Sequence, residues 1–142
     1  MWPFLQLQPG AAVWRSNWIV CMKQCLIVED SEVIRKVASR IMTNLNFEVI
    51  EAENGQQALD ICDSGMPDMI LLDWQMPVMG GMEFLQSFRP LNKKKRPFIL
   101  YCATENDKVE LSRAITAGAN DYVLKPYDRE SLYARIAEAG LG

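Results

Sequence analysis

The most constraining feature of this chain is a change of hydrophobic period that recurs five times after Gln24. Short continuous apolar runs alternate with longer stretches whose apolar residues fall three and four apart. The runs are Cys25-Leu26-Ile27-Val28, Phe47 to Ile50, Met69-Ile70-Leu71-Leu72, Phe98 to Cys102 and Tyr122-Val123-Leu124. Continuous apolarity belongs to strands covered on both faces, and such strands separated by helices build a parallel sheet. The helical stretches carry their own start and stop signals. Ser31 precedes an apolar stripe of Val33, Ile34, Val37, Ile41, Met42 and Leu45. Asn54 followed by Gln57 reads as a capping box for a helix through Ala58, Leu59 and Ile61 that ends near Ser64-Gly65. A third helix is expected from about Gly81 and stops before Pro90. A fourth runs from about Asp107 to Ala117 with Gly118 as its cap, and a fifth from Asp128 to Gly140. The pattern is (βα)5, a doubly wound α/β domain of three layers with a parallel five-stranded sheet.

That pattern fills residues 22–142 and leaves the first 21 outside it. Those 21 hold Trp2, Trp14 and Trp18 and a single charge, Arg15. They lack the basic start and long apolar centre of a secretory signal. Met22 opens directly onto the first strand, so the expected domain begins there, and 1–21 reads as an unstructured extension or a mis-assigned start. The rival, an interfacial anchor built on the tryptophans, lacks a basic face. No apolar run approaches the ~18–20 residues that would cross a bilayer. Cys21 and Cys25 form C-x3-C, with Cys62 and Cys102 isolated, which matches no paired metal or redox pattern and predicts reduced thiols in a cytoplasmic fold. The run Lys93-Lys94-Lys95-Arg96 reads as a solvated loop rather than a contact for an acidic partner. The 142 residues include no histidine, which excludes Ser-His-Asp and Cys-His catalysis, His-bearing zinc sites and a phosphohistidine donor.

In a doubly wound sheet ligands bind beyond the carboxyl ends of the strands. The first strand runs into Glu29-Asp30, the third into Asp73, the fourth into Cys102-Ala103-Thr104 and the fifth into Lys125-Pro126. The second ends in Glu51-Ala52, read as an exposed edge. In the order 2-1-3-4-5 the four chemistry-bearing ends are neighbours about 4.8 Å apart, with Asp73 central. Three crowded carboxylates repel one another unless a cation joins them. Oxygen ligands in a shallow site suit Mg²⁺ better than Ca²⁺. Asp30 and Asp73 are the expected direct ligands, with Glu29 acting directly or through water. Lys125 and Thr104 face an anion at Asp73. A carboxylate between Mg²⁺ and a lysine can attack phosphorus and form an acyl phosphate.

Taken in order, these motifs resemble the receiver domain of two-component response regulators, from Met22 to about Leu141. They are Glu29-Asp30-Ser31, the stretch Leu71 to Gly81, Ala117-Gly118-Ala119 and Tyr122-Val123-Leu124-Lys125-Pro126. The resemblance implies a flavodoxin-like fold and an Asp73 that accepts a phosphoryl group from a histidine kinase or histidine phosphotransfer protein. It implies Mg²⁺ on Asp30, Asp73 and the carbonyl of Gln75, Lys125 on the phosphoryl oxygens, and a cis bond to Pro126. It also implies a switch that pairs a hydroxyl after strand four with an aromatic on strand five. Tyr122 fits the aromatic. Counting back from Lys125 reaches Ala103 and counting forward from Pro97 reaches Cys102, while Thr104 alone carries a hydroxyl and is assigned the role. Glu29 stands for the family's commoner Asp and Tyr127 for its commoner Phe, and Trp74 reads as a partly exposed packing residue.

Two other classes share the architecture. A flavodoxin-type electron carrier needs a Ser/Thr/Gly-rich phosphate loop where Glu29-Asp30 stand, and an aspartyl phosphatase needs a second acid where Gln75 stands. The chain stops just after the fifth helix, so the expectation is a stand-alone, chemotaxis-regulator-like receiver. It would be a signalling protein rather than an enzyme, limited to its own phosphotransfer and dephosphorylation. Its output partner is expected on the face of helix four, strand five and helix five, through Val109, Arg113, Ala117, Tyr122, Tyr127 and Tyr133. A formal net charge of −3 and the lack of a helix-turn-helix segment argue against nucleic acid as a partner. No membrane partner is expected.

Overall fold

The computed structural model describes residues 22–88 and 96–141. The extension 1–21, Pro90 and the basic residues 93–95 lie outside the described residues. Strands β1 (Lys23–Val28), β2 (Phe47–Ala52), β3 (Met69–Asp73), β4 (Phe98–Ala103) and β5 (Asp121–Leu124) alternate with helices α1 (Glu32–Asn44), α2 (Gly55–Ser64), α3 (Gly81–Ser87), α4 (Lys108–Ala117) and α5 (Arg129–Glu138). The strands form one parallel sheet in the order β2-β1-β3-β4-β5, as expected.

Continuous apolarity is resolved into two faces. Cys25, Ile27, Met69, Leu71, Leu100, Cys102 and Val123 pack with Ala38 and Met42 of α1 and Leu132 and Ile136 of α5. Their neighbours Leu26, Val28, Ile70, Leu72, Ile99, Tyr101 and Ala103 pack on the other side with residues of α2, α3 and α4, including Ala58, Phe84, Leu85, Leu111 and Ala114. All five residues of β3 are buried, as a central strand between two helical layers requires. The buried Tyr101 hydroxyl donates to Glu110 Oε2 at 2.9 Å and so ties α4 to β4. Cys25, Cys62 and Cys102 are free and buried. No helix among the described residues is long and apolar enough to cross a membrane.

The helices start where their caps were expected. Ser31 accepts from the Ile34 N–H at 3.3 Å, Asp107 from Val109 and Glu110, and Asp128 from Ser131 at 2.8 Å, each cap contributing about 1 kcal/mol. Two expectations need correction. Asn54 does cap the Gln57 N–H, but the Gln57 side chain returns to the Glu53 N–H rather than to Asn54, so the reciprocal box is displaced by one residue. The apolar stripe of α1 is also rotated away from the core. The helix buries Arg35, Ala38 and Met42, while Val33 is 74% exposed, Val37 46% and Ile34 38%.

Candidate functional site

Glu29 and Asp30 leave β1, Asp73 ends β3, Thr104 follows β4 and Lys125 follows β5. All five line one pocket of about 610 Å³ at the carboxyl edge of the sheet. Carboxylate oxygens of Glu29, Asp30 and Asp73 lie within 4.8 Å of one another. Lys125 Nζ reaches in from β5, 2.6 Å from Asp73 Oδ1 and 2.7 Å from Glu29 Oε1. The second Glu29 oxygen accepts the Ser31 N–H at 3.0 Å. Glu29 and Asp73 are buried and Asp30 is exposed.

Burial is the largest influence on Asp73 and pushes its pKa up to about 6. Lys125 pulls against that rise, and the Glu29 carboxylate adds to it. Burial alone would lower the Lys125 pKa, but the Asp73 and Glu29 carboxylates outweigh it and hold the ammonium above its ordinary value. One ammonium against three carboxylates leaves an excess of negative charge. An oxygen-only donor set of this kind fits a hard divalent ion such as Mg²⁺, with Asp30 on the open side.

The loop from Trp74 to Gly80 is held closely to Asp73. The Gly81 N–H donates to the Trp74 carbonyl at 3.1 Å, and a Cβ on Gly81 would collide with the Asp73 carbonyl oxygen and meet Tyr101 at 3.1 Å. At the loop's far side the Gly55 N–H donates to the Met79 carbonyl at 2.9 Å, and a Cβ on Gly55 would stand 2.7 Å from Met79 Cγ. Between them Val78 adopts φ 67°, closed by a Met79 N–H to Pro77 carbonyl bond of 2.7 Å, a γ-turn of the positive-φ kind. The Lys125–Pro126 bond is cis.

The strand ends thus bring Glu29, Asp30, Asp73, Thr104 and Lys125 together as the topology predicts, and Gln75 joins them at the pocket wall. Register separates the three candidates for the β4 position. Cys102 pairs with Asp73 and Val123, and Ala103 with Leu124. Ala103 belongs to the apolar cluster against which Tyr122 packs, whereas Thr104 stands beyond the strand, exposed at the pocket. Tyr122 is half-buried with the Arg135 guanidinium 5.6 Å from its ring centroid. Tyr127 is half-buried beside α5. It packs with the α1 and α5 cluster on the opposite side of the sheet from Tyr122, and burial pushes its hydroxyl pKa up. Val109 and Tyr133 are exposed as expected, and Trp74 is half-buried.

The pairing of Arg35 with Glu51 was not expected from the sequence, where Glu51 was placed only at an exposed edge. Glu51 ends no idle edge: it accepts from Arg35 Nε at 2.9 Å, from Lys36 and from Ser39. Burial raises its pKa less than these three partners lower it, so the carboxyl sits below its ordinary value. The signal for Arg35 was its place one turn into a helix, where the macrodipole disfavours a cation without an acidic partner.

An acidic pocket with one half-buried lysine, at the carboxyl edge of a sheet ordered 2-1-3-4-5, defines an α/β domain whose central aspartate stands between an ammonium and an acidic cluster that could hold a metal ion. Residues 25–137 match the profile of the response regulator receiver domain, and the chain belongs to that family. It is 33% identical to the chemotaxis protein CheY1 of Helicobacter pylori over 113 residues, covering 78% of this chain and 91% of that protein. It is 32% identical to a CheY homolog of Campylobacter jejuni, covering 80% and 88%. Among solved structures, Vibrio cholerae CheY4 matches with a TM-score of 0.76 at 31% identity, over 82% of this chain and 98% of that one. A chain in the co-crystal structure of the Saccharomyces cerevisiae phosphotransfer protein Ypd1 with the receiver domain of Ssk1 matches with a TM-score of 0.75. That match is at 26% identity and covers 82% of this chain and 88% of that one.

Proposed function

We propose that this chain is a phosphorelay receiver in which Asp73 takes a phosphoryl group from a histidine kinase or histidine phosphotransfer protein and signals by a change in protein binding. The observation that carries the reading is the buried Asp73 carboxylate, 2.6 Å from Lys125 and clustered with Glu29 and Asp30 in one open pocket. A carboxylate oxygen of Asp73 attacks phosphorus, the bond from phosphorus to the donor's imidazole nitrogen breaks, and the imidazole leaves with that electron pair. Asp73 then carries an acyl phosphate. Lys125 moves from pairing the carboxylate to pairing the phosphoryl oxygens, still anchored by Glu29. Mg²⁺, held by Asp30, Asp73 and the Gln75 carbonyl, would neutralise charge on the transferring group. Glu29, with both oxygens already engaged, backs that set from behind.

Thr104 supplies a hydroxyl to the phosphoryl oxygens from the pocket rim, and Tyr122 responds on the α4, β5 and α5 face, where Val109 and Tyr133 are exposed to a partner. Ile34 lines the pocket, and with the exposed Val33 and Val37 of the same helix it offers an apolar surface to the phosphodonor protein. The co-crystal of Ypd1 with the Ssk1 receiver supports a phosphotransfer protein as donor. Acetyl phosphate with Mg²⁺ is expected to add one phosphoryl group, labile to hydroxylamine, and Asp73→Asn to abolish it in intact-mass measurements. Equal labelling of the Asn variant overturns the assignment.

A further inference from the structure

Arg35 is 8% exposed although it belongs to a helix with open solvent on its other side. Its Nη1 donates to the Glu29 carbonyl at 2.8 Å in a buried contact, and its Nε donates to Glu51 Oε1 at 2.9 Å. The Glu29 N–H donates in turn to the Ala52 carbonyl at 3.0 Å. The backbone of Glu29 is therefore held from β2 and α1 at both ends, while its carboxylate reaches Lys125 and the Ser31 N–H. A buried guanidinium costs desolvation that an apolar side chain would avoid. The helix nevertheless turns Arg35 inward and leaves Val33 and Val37 exposed. A purely stabilising arrangement would do the reverse.

We propose that Arg35 and Glu51 form a positioning pair that fixes the Glu29 backbone and thereby aims Glu29 at Lys125 and Asp30 at a divalent cation. The pair touches neither the ion nor the phosphoryl group, and the inference rests on the phosphoacceptor reading above. It predicts that cation affinity depends on residues of α1 and of the edge strand β2, outside the motifs that mark the pocket. Outer partners of ligand carboxylates typically govern affinity by about 10- to 100-fold.

The test uses the full chain with Mg²⁺ alone, titrated by calorimetry, beside thermal unfolding in EDTA and phosphoryl incorporation from acetyl phosphate at varied Mg²⁺. Arg35→Gln is expected to weaken Mg²⁺ binding about tenfold, while incorporation at saturating Mg²⁺ stays near wild type. Glu51→Gln should weaken it in the same direction by less. The double variant should bind no worse than Arg35→Gln, because the two act as one unit. Arg35→Lys cannot span the carbonyl and Glu51 together and should restore binding only in part. A folded Arg35→Gln that binds Mg²⁺ within about twofold of wild type, against the range expected for such partners, overturns the proposal even if its unfolding temperature falls. Should Arg35→Gln not fold, Glu51→Gln decides, and unchanged affinity there is equally fatal. A wild type that takes no phosphoryl group defeats the phosphoacceptor reading itself. A labelled wild type with unaffected Arg35 and Glu51 variants defeats only the positioning pair.

Discussion

Val78 carries a β-branched side chain at φ 67° and is 79% exposed. A branched Cβ crowds the backbone in that region, and the cost is about 1–3 kcal/mol. Little packing offsets it, so Val78→Asn is expected to stabilise the protein by about 1 kcal/mol in urea unfolding, with Asn tolerating the left-handed region. An unchanged or lower midpoint counts against strain at this turn. The same scale divides what the sequence could and could not reveal. Asp73, Glu29, Asp30 and Lys125 were legible because strand ends in a doubly wound sheet converge whatever the side-chain details. The places of Cys102, Ala103 and Thr104 relative to the neighbouring strands were not, because the three differ by single steps of register that only strand pairing resolves. The pairing of Arg35 with Glu51 was not legible because it crosses from a helix to an edge strand, and no local pattern records the roll of α1.

Among the elements, α1 is where hydrophobic period and burial part company. The stripe of Val33, Ile34, Val37, Ile41, Met42 and Leu45 correctly announces a helix, yet its first half is exposed, and only Met42 of the stripe is fully buried. The rotation follows from the Arg35 anchor to β1 and β2, which a hydrophobic pattern does not weigh. Val37→Ser should therefore change unfolding free energy by no more than about 0.5 kcal/mol. Met42→Ala, which empties a fully buried position, should cost about 2–5 kcal/mol. Comparable losses at the two positions would restore the inward-facing stripe. The strands were read more surely than the helix face, since β1 and β3 are apolar on both sides and need no choice of side.

At the scale of the whole molecule, the fold concentrates negative charge at one edge of the sheet, and its stability should register that concentration. The Asp73 pKa, pushed up chiefly by burial, stands at about 6 against an ordinary 3.8. Between those values the folded protein binds more protons than the unfolded chain. The stabilising contribution is complete below the unfolded value and is lost as pH rises through about 6. Glu51 is held below its ordinary value by Arg35, Lys36 and Ser39 against burial, so its contribution runs the other way and is lost on acidification. Metal-free protein should thus be most stable between these two losses, and its melting temperature should fall as pH rises through about 6 toward neutrality. Mg²⁺ bound in this pocket would favour the ionised Asp73, so added Mg²⁺ should raise the unfolding free energy, and with it the melting temperature, most at neutral pH, by about 1.4 kcal/mol for each tenfold excess over its dissociation constant. The gain should shrink as protons compete below about pH 6. Asp73→Asn should remove both the neutral-side fall and most of the Mg²⁺ gain. Melting in EDTA and in saturating Mg²⁺ across this range measures both effects. A flat metal-free profile in the wild type, or a fall that persists in Asp73→Asn, would place the titrating charge elsewhere in the molecule.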